Sequence, residues 1–238
     1  MAWALVTGGS GDIGGAICLR LAREGYDVAV HTFRAVESAD EIAGKVRAEG
    51  RQAIVLRGHL GKPGGAEALA SAAVEQCGSV DVVVSNAASG VIKPVSELDE
   101  RAFDWSMGIN ARPLLTLVTT LRPRAAVAMS SPGSTRVLPA YAVVGASKAA
   151  LESLVRYLAV ELAPATRVNA VSAGVVDTRA LKHFPDRKAM LADGRTKTPA
   201  GRLVTPDDVA NAVAWLVSPE SAMVTGHTLV VDGGWSLL

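Results

Sequence analysis

This sequence predicts a single α/β domain, doubly wound around a seven-stranded parallel sheet with helices on both faces. Three observations carry that expectation. Short apolar runs alternate with stretches of helical spacing along the chain. The runs are apolar at nearly every position rather than at alternate ones, as in strands covered on both faces. A glycine-rich turn joins the first run to the first helical stretch.

The elements follow in order. Trp3–Val6 is the first predicted strand, and Ile13–Arg23 carries apolar residues near helical spacing. Val28–Thr32 and Ala53–Leu56 are β-branched or apolar runs, each followed by an amphipathic stretch, Ala39–Ala48 and Ala66–Gln76. Val80–Ser85 is a valine-rich strand leading to one long helix, Arg101–Leu121. Ala125–Ser130 precedes the helix Val143–Leu162. Thr166–Val171 and Thr228–Val231 complete the sheet, with the helix Pro206–Val217 between them. Seven strands and six helices make one domain over residues 1–238, and no linker, repeat or low-complexity tract divides it.

Composition narrows the function. The chain is 49% hydrophobic and its net charge is only +1, so nucleic acid and anionic membrane are not expected partners. Cys18 and Cys77 are the only cysteines, without metal-binding spacing, and a reducing cytoplasm is the expected location. No apolar run approaches a membrane span, and the N-terminus enters the glycine-rich motif too soon for a signal peptide.

The turn Thr7-Gly-Gly-Ser10-Gly-Asp12-Ile13-Gly14 leaves the first strand and opens the first helix. Small residues let backbone approach a pyrophosphate, and a helix N-terminus offers unpaired N–H groups and a positive dipole. Gly8, Ser10, Asp12, Ile13 and Gly14 are therefore expected cofactor contacts. Asp12 occupies a place where a glycine is usual, so its carboxylate is expected to point away from the phosphates or to cap the helix. The second strand ends without the acidic residue that commonly holds the ribose of NAD. It is followed by Arg34, whose planar fork suits a 2′-phosphate, and NADPH is the expected cofactor.

The chemistry is expected at Tyr141 and Lys148, which six residues separate in Tyr141-Ala-Val-Val-Gly-Ala-Ser-Lys148. Ordinary short-chain dehydrogenases place three residues between tyrosine and lysine, and the corresponding position here is Val144, which has no proton to donate. With the lid sequence Lys182-His-Phe-Pro, the segment Asn86-Ala-Ala-Ser-Gly-Val and the C-terminal Val231-Asp-Gly-Gly-Trp, the chain resembles type III enoyl-acyl-carrier-protein reductase. That family is the NADPH-using branch of the short-chain dehydrogenases with Tyr-(x)6-Lys spacing.

The resemblance implies a Rossmann-type fold, a homo-oligomer (dimer or tetramer), and an enoyl thioester on acyl carrier protein or coenzyme A as substrate. It makes Tyr141 the donor to the thioester oxygen, and Lys148 the ligand of the ribose and the cation that lowers the tyrosine pKa. Three residues of helix rise about 4.5 Å, enough to carry the donor from a ketone oxygen toward an enolate oxygen two carbons from the hydride acceptor. Asn86, Ala87, Leu60, Val176 and Thr178 are the further expected cofactor contacts, with Asn110 either bracing the site or capping a helix. Ser89 and Ser131 are expected at the substrate. Leu181, Phe184 and Met190 form either an acyl channel or the buried face of a lid helix.

The stretch from Val175 to Pro199 is polar and basic, lies beyond a strand end, and is expected to cover the substrate. Its cluster of Lys182, His183, Arg187, Lys188, Arg195 and Lys197 either steers an acidic carrier or is a solvated face. Almost no chain separates Pro123 from the strand at Ala125, shortening a helix that the family uses between subunits. Two other readings remain: a carbonyl reductase using the displaced Tyr141, and a cofactor-binding regulator without turnover.

Overall fold

The computed structural model describes residues 2–179, 181 and 187–238. Seven strands form one parallel sheet in the order β3-β2-β1-β4-β5-β6-β7. They are β1 (Trp3–Val6), β2 (Asp27–Thr32), β3 (Ala53–Arg57), β4 (Val82–Ser85), β5 (Ala125–Ser130), β6 (Arg167–Ala173) and β7 (Thr228–Val231). Every expected strand is present, shifted by at most two residues at either end.

The helices among the described residues number eight, not six: α1 (Asp12–Arg23), α2 (Val36–Ala48), α3 (Gly65–Cys77), α4 (Glu100–Asn110), α5 (Arg112–Leu121), α6 (Ala142–Glu161), α7 (Arg187–Lys197) and α8 (Pro206–Val217). The single helix expected over Arg101–Leu121 is two. The break falls at Ala111, just before Pro113, whose ring cannot continue a helix from the residues before it. The extra helix α7 lies in the region expected to be a lid.

Both sheet faces are covered, which explains the continuous apolar runs. Ala4 and Val6 pack with Ile17, Leu21, Val209 and Val213 of α1 and α8 on one face. Trp3 and Leu5 point the other way, toward Leu69, Leu114, Leu117, Leu151 and Val155 of α3, α5 and α6. Burying side chains of this size contributes roughly 1.5–3 kcal/mol each, so both layers stabilise the sheet. Strand order reverses between β1, which pairs β2, and β4, and the carboxyl ends of the strands there form the crevice where ligands bind in such sheets. No helix among the described residues is long and apolar enough to cross a membrane. Cys18 and Cys77 are free thiols.

Candidate active site

The glycine-rich turn is tied to β4 by a small network. Thr7 donates its hydroxyl to the Val84 carbonyl at 3.2 Å and accepts from the amides of Asn86 and Ala87 at 2.9 Å each. Asn86 returns its side-chain amide to the carbonyls of Thr7 and Gly8, at 2.9 and 3.2 Å. Gly8 has φ of +63°, a conformation that favours glycine. A Cβ on Gly14 would fall 2.2 Å from the Gly8 carbonyl oxygen, so this turn admits no side chain there. Helix α1 begins after Gly11 without a side-chain cap, leaving its leading N–H groups for an anion. That cradle fits a dinucleotide pyrophosphate.

His31 supports the same turn from β2 and was not anticipated. The Gly8 amide donates to its Nδ1 at 3.1 Å, and its Nε2 lies 3.2 Å from the Gly58 carbonyl. Burial pulls its pKa down to about 4, against the weaker raising effect of the Gly58 carbonyl, so the ring stays neutral and able to accept. Ser10 joins in through a 3.0 Å hydroxyl contact with Thr32.

Asp12 does not cap the helix. Its carboxylate accepts from the Arg179 amide at 2.7 Å and from Arg179 Nε at 2.8 Å, while Arg179 also reaches the Ser10 carbonyl at 3.1 Å. The negative charge introduced into the turn is thereby matched by a cation from the segment after β6. Ile13, half-buried, packs on the core behind the turn.

Arg34 is exposed just past β2, its guanidinium 4.9 Å from the centroid of the Phe33 ring. Arg57, at the end of β3, donates to the Phe33 carbonyl at 3.3 Å and places a second cation at this edge. Leu60 is buried behind it. Phe33, His59 and Trp105 contact one another in sequence, the first pair tilted and the second edge-to-face, with ring centroids 4.1 and 5.6 Å apart.

The end of β5 grips α6 with three consecutive residues. The Met129 carbonyl accepts from Lys148 Nζ at 2.7 Å, Ser130 donates to Glu152, and the Ser131 hydroxyl lies 3.3 Å from that of Tyr141. Ser131 and Tyr141 are thus brought together as a pair of hydroxyls. Lys148 is buried, and its pKa is pulled down to about 8 by that burial, with the Glu152 carboxylate acting in the opposite direction. Asn110 braces the helix rather than merely ending α4: its side-chain amide donates to Ser147 Oγ at 2.8 Å and to the Ser89 carbonyl at 2.9 Å. The Ser89 amide donates back at 3.0 Å, and Trp105 Nε1 reaches the Ser89 hydroxyl at 3.3 Å.

Tyr141 is the N-cap of α6, one residue ahead of the helix and with its carbonyl accepting from the Gly145 amide at 2.7 Å, and the chain before it is irregular, with Ala140 at φ of +58°. One expectation about Tyr141 needs correction. Its hydroxyl pKa is raised, not lowered: burial dominates, the Ser131 hydrogen bond opposes it, and Lys148 is engaged with Met129. Tyr141 accordingly stays a proton-bearing donor. Val144 is buried, its methyl so close to Gly90 that a Cβ there would fall 2.2 Å away.

Glycines make the room for Tyr141. A Cβ on Gly133 would come within 2.5 Å of the Tyr141 ring, and one on Gly145 within 2.5 Å of the Gly133 carbonyl oxygen. Gly145, a helix-interior glycine that costs about 1 kcal/mol against alanine, was the available signal for this close approach.

Beyond β6, Val176 is buried and bridges Val204, Thr178 is half-buried, and Leu181 is buried. Met190 is half-buried in α7. Phe184, Lys182 and His183 lie outside the described residues. Of the basic cluster, Arg187 pairs with Asp177 and Lys197 with Asp193, at 2.6 and 2.7 Å, so these two charges are compensated locally.

The family described as Enoyl-(Acyl carrier protein) reductase matches residues 9–236. The 1-cyclohexenylcarbonyl-CoA reductase of Streptomyces collinus is 35% identical, over 99% of this chain and 87% of that protein. A short-chain dehydrogenase from Burkholderia cenocepacia J2315, in complex with NADP, is 31% identical with a TM-score of 0.90, covering 99% of this chain and 98% of that one. The angucycline C-6 ketoreductase LanV, with bound NADP, is 28% identical with a TM-score of 0.91, covering 100% and 96%.

Proposed function

Because the chain belongs to the enoyl-(acyl carrier protein) reductase family of short-chain oxidoreductases, we propose that it uses NADPH to reduce the 2,3-double bond of an enoyl thioester. The observation that carries this reading is the exchange at α6. The helix position expected of a ketone-reducing tyrosine holds buried Val144, and the hydroxyl donor comes instead from Tyr141 at the helix start.

When bound, NADPH supplies a hydride to the β-carbon of the substrate. Glycine-rich turn residues Gly8, Ser10, Ile13 and Gly14 hold its pyrophosphate at the start of α1, and Arg34 takes the 2′-phosphate. Asn86, Ala87 and Leu60 line its floor, and Val176 and Thr178 its nicotinamide end. Asp12, held by Arg179, contributes through charge balance rather than by touching phosphate. Lys148, with one donor on Met129, turns its remaining N–H groups to the ribose. Tyr141 donates to the thioester oxygen as negative charge develops there, and Ser131 holds the tyrosine hydroxyl in place. A donor fixed in advance of the charge it meets is worth more than one that must reorient. The raised pKa of Tyr141 suits this role, because the group must keep its proton to donate it. Ser89 and Leu181 face the substrate, and Phe184 is kept with them only as the resemblance implies.

The cyclohexenylcarbonyl-CoA reductase relative supports a coenzyme A thioester, and the family description supports an acyl-carrier thioester. A homo-oligomer, dimer or tetramer, fits the apolar side chains of Leu115, Tyr157 and Val160 that α5 and α6 expose. The location we propose is the cytoplasm. Transfer of deuterium from 4-deuterated NADPH to the β-carbon of crotonyl thioester, read by mass spectrometry, tests the reaction; label on a carbinol carbon of a ketone substrate alone contradicts it.

One observation favours a second reading. Ser131 and Tyr141 form the two-hydroxyl pair that a ketone oxygen would accept from, and LanV is a ketoreductase with the same fold. Ketone reduction by the displaced tyrosine is therefore the alternative to measure beside enoyl reduction.

A further inference from the structure

Glu152 takes no part in the reaction as described, yet the fold buries it. Only 8% exposed, it lies four residues after Lys148, one turn along the same face of α6. Its Oε1 accepts from Ser130, and the carbonyl of the preceding residue, Met129, accepts from Lys148. Two successive residues of β5 therefore hold a carboxylate and an ammonium on one buried stretch of helix. Enclosing either charge alone is costly, and a counter-charge nearby offsets that cost.

Among the described residues, the elements packed on α6 at this level offer Lys148 no other counter-charge. Glu100, Arg101 and Asp104 of α4 and Arg112 of α5 are exposed. Arg167 lies at the opposite end of β6 from Ser172, the residue that pairs with Ser130. Strand β5 and the turn Pro132–Ser134 carry no charged side chain. Tyr141, the remaining titratable group here, is neutral while it keeps its proton.

We propose that Glu152 is a positioning residue for Lys148, the buried counter-charge that keeps the lysine an ammonium and fixes its direction in the site. This rests on Lys148 acting as a cation and holds for either an enoyl or a keto substrate. The downward pull of burial on Lys148, opposed by Glu152, agrees with the geometry.

The pH dependence of kcat/KM for NADPH-driven reduction, in Glu152→Gln and Glu152→Asp enzymes, tests the assignment. Glutamine keeps the shape and an oxygen for Ser130 but removes the charge. Its alkaline limb should move down by about one pH unit or more, the size expected when a close opposite charge is lost. Aspartate keeps the charge and should leave that limb near its original position. A limb that does not move in Glu152→Gln overturns the proposal.

A second measurement needs no activity. Lys148→Met strands the carboxylate in the core, so adding Glu152→Gln should raise the unfolding temperature of that variant. An unchanged or lower unfolding temperature in the double variant also overturns the proposal. Because unfolding is blind to substrate, failure of the enoyl assignment would not disturb this result.

Discussion

The ring of Tyr141 lies so close to Gly133 that a Cβ at 133 would approach Cδ1 to 2.5 Å. That contact, with the Ser131 hydroxyl 3.3 Å from the tyrosine hydroxyl, fixes where the proposed proton donor stands. Gly133→Ala should push the ring aside without touching the glycine-rich turn. Misplacing a reacting group by about 1 Å can cost roughly a hundredfold in rate. Turnover should fall by that order while the NADPH dissociation constant stays within a few-fold; unchanged turnover would show that the ring tolerates the shift.

Tyr141→Phe removes the donor itself. Losing one such donor typically costs about a hundred- to a thousandfold in kcat, with little effect on NADPH binding. Steady-state rates and fluorescence titration of NADPH separate the two effects. Placing the hydroxyl instead at position 144, with Val144→Tyr in the Tyr141→Phe background, should not restore enoyl reduction, because that side chain packs toward Gly90.

Arg34 is exposed beside Phe33, with no ion pair of its own among the described residues. Arg34→Ala should weaken NADPH about tenfold or more, since a charge-assisted hydrogen bond contributes roughly 1.5–3 kcal/mol. NADH, which lacks the 2′-phosphate, should be nearly unaffected. Equal losses for both cofactors, measured by titration, would assign Arg34 a role in folding.

The pair of Asp12 and Arg179 makes an opposite-sign prediction for two changes. Arg179→Ala leaves the Asp12 carboxylate uncompensated next to the expected pyrophosphate. Repulsion of about 1 kcal/mol, the scale for solvated charges a few ångströms apart, should weaken NADPH roughly fivefold, and less at high salt. Adding Asp12→Gly should recover the affinity. If the double variant binds no better than Arg179→Ala, the arginine acts on the lid and not on the charge of the turn.

The layered fold was legible because burial on both sheet faces imposes continuous apolar strands, and all seven were found. The helix break at Ala111 was harder to see, since Leu114, Leu117 and Val118 carry the apolar face on past it. At the site, the spacing of Tyr141 and Lys148 marked the start of α6 as the place to look, but not the conformation in which the tyrosine is held. That depends on Ala140 in a left-handed conformation and on glycines whose role appears only when β5 and α6 meet. Asp12 stood out as a departure in the turn, yet its partner lies 167 residues away, beyond any local pattern. Glu152 and His31 looked like ordinary members of a helix and a strand, because nothing in their spacing marks a buried charge or an acceptor for a backbone amide.

The most direct test of enoyl reduction compares kcat/KM for NADPH oxidation with crotonyl thioester and with acetoacetyl thioester, using one carrier for both. Tyr141 at the start of α6 and Val144 within it predict that the crotonyl substrate is preferred by at least about a hundredfold, the scale of one well-placed donor, with a saturated thioester as product. Equal rates, or a preference for acetoacetyl thioester with a 3-hydroxy product, would contradict the assignment and make the enzyme a ketone reductase that acts through Ser131 and Tyr141.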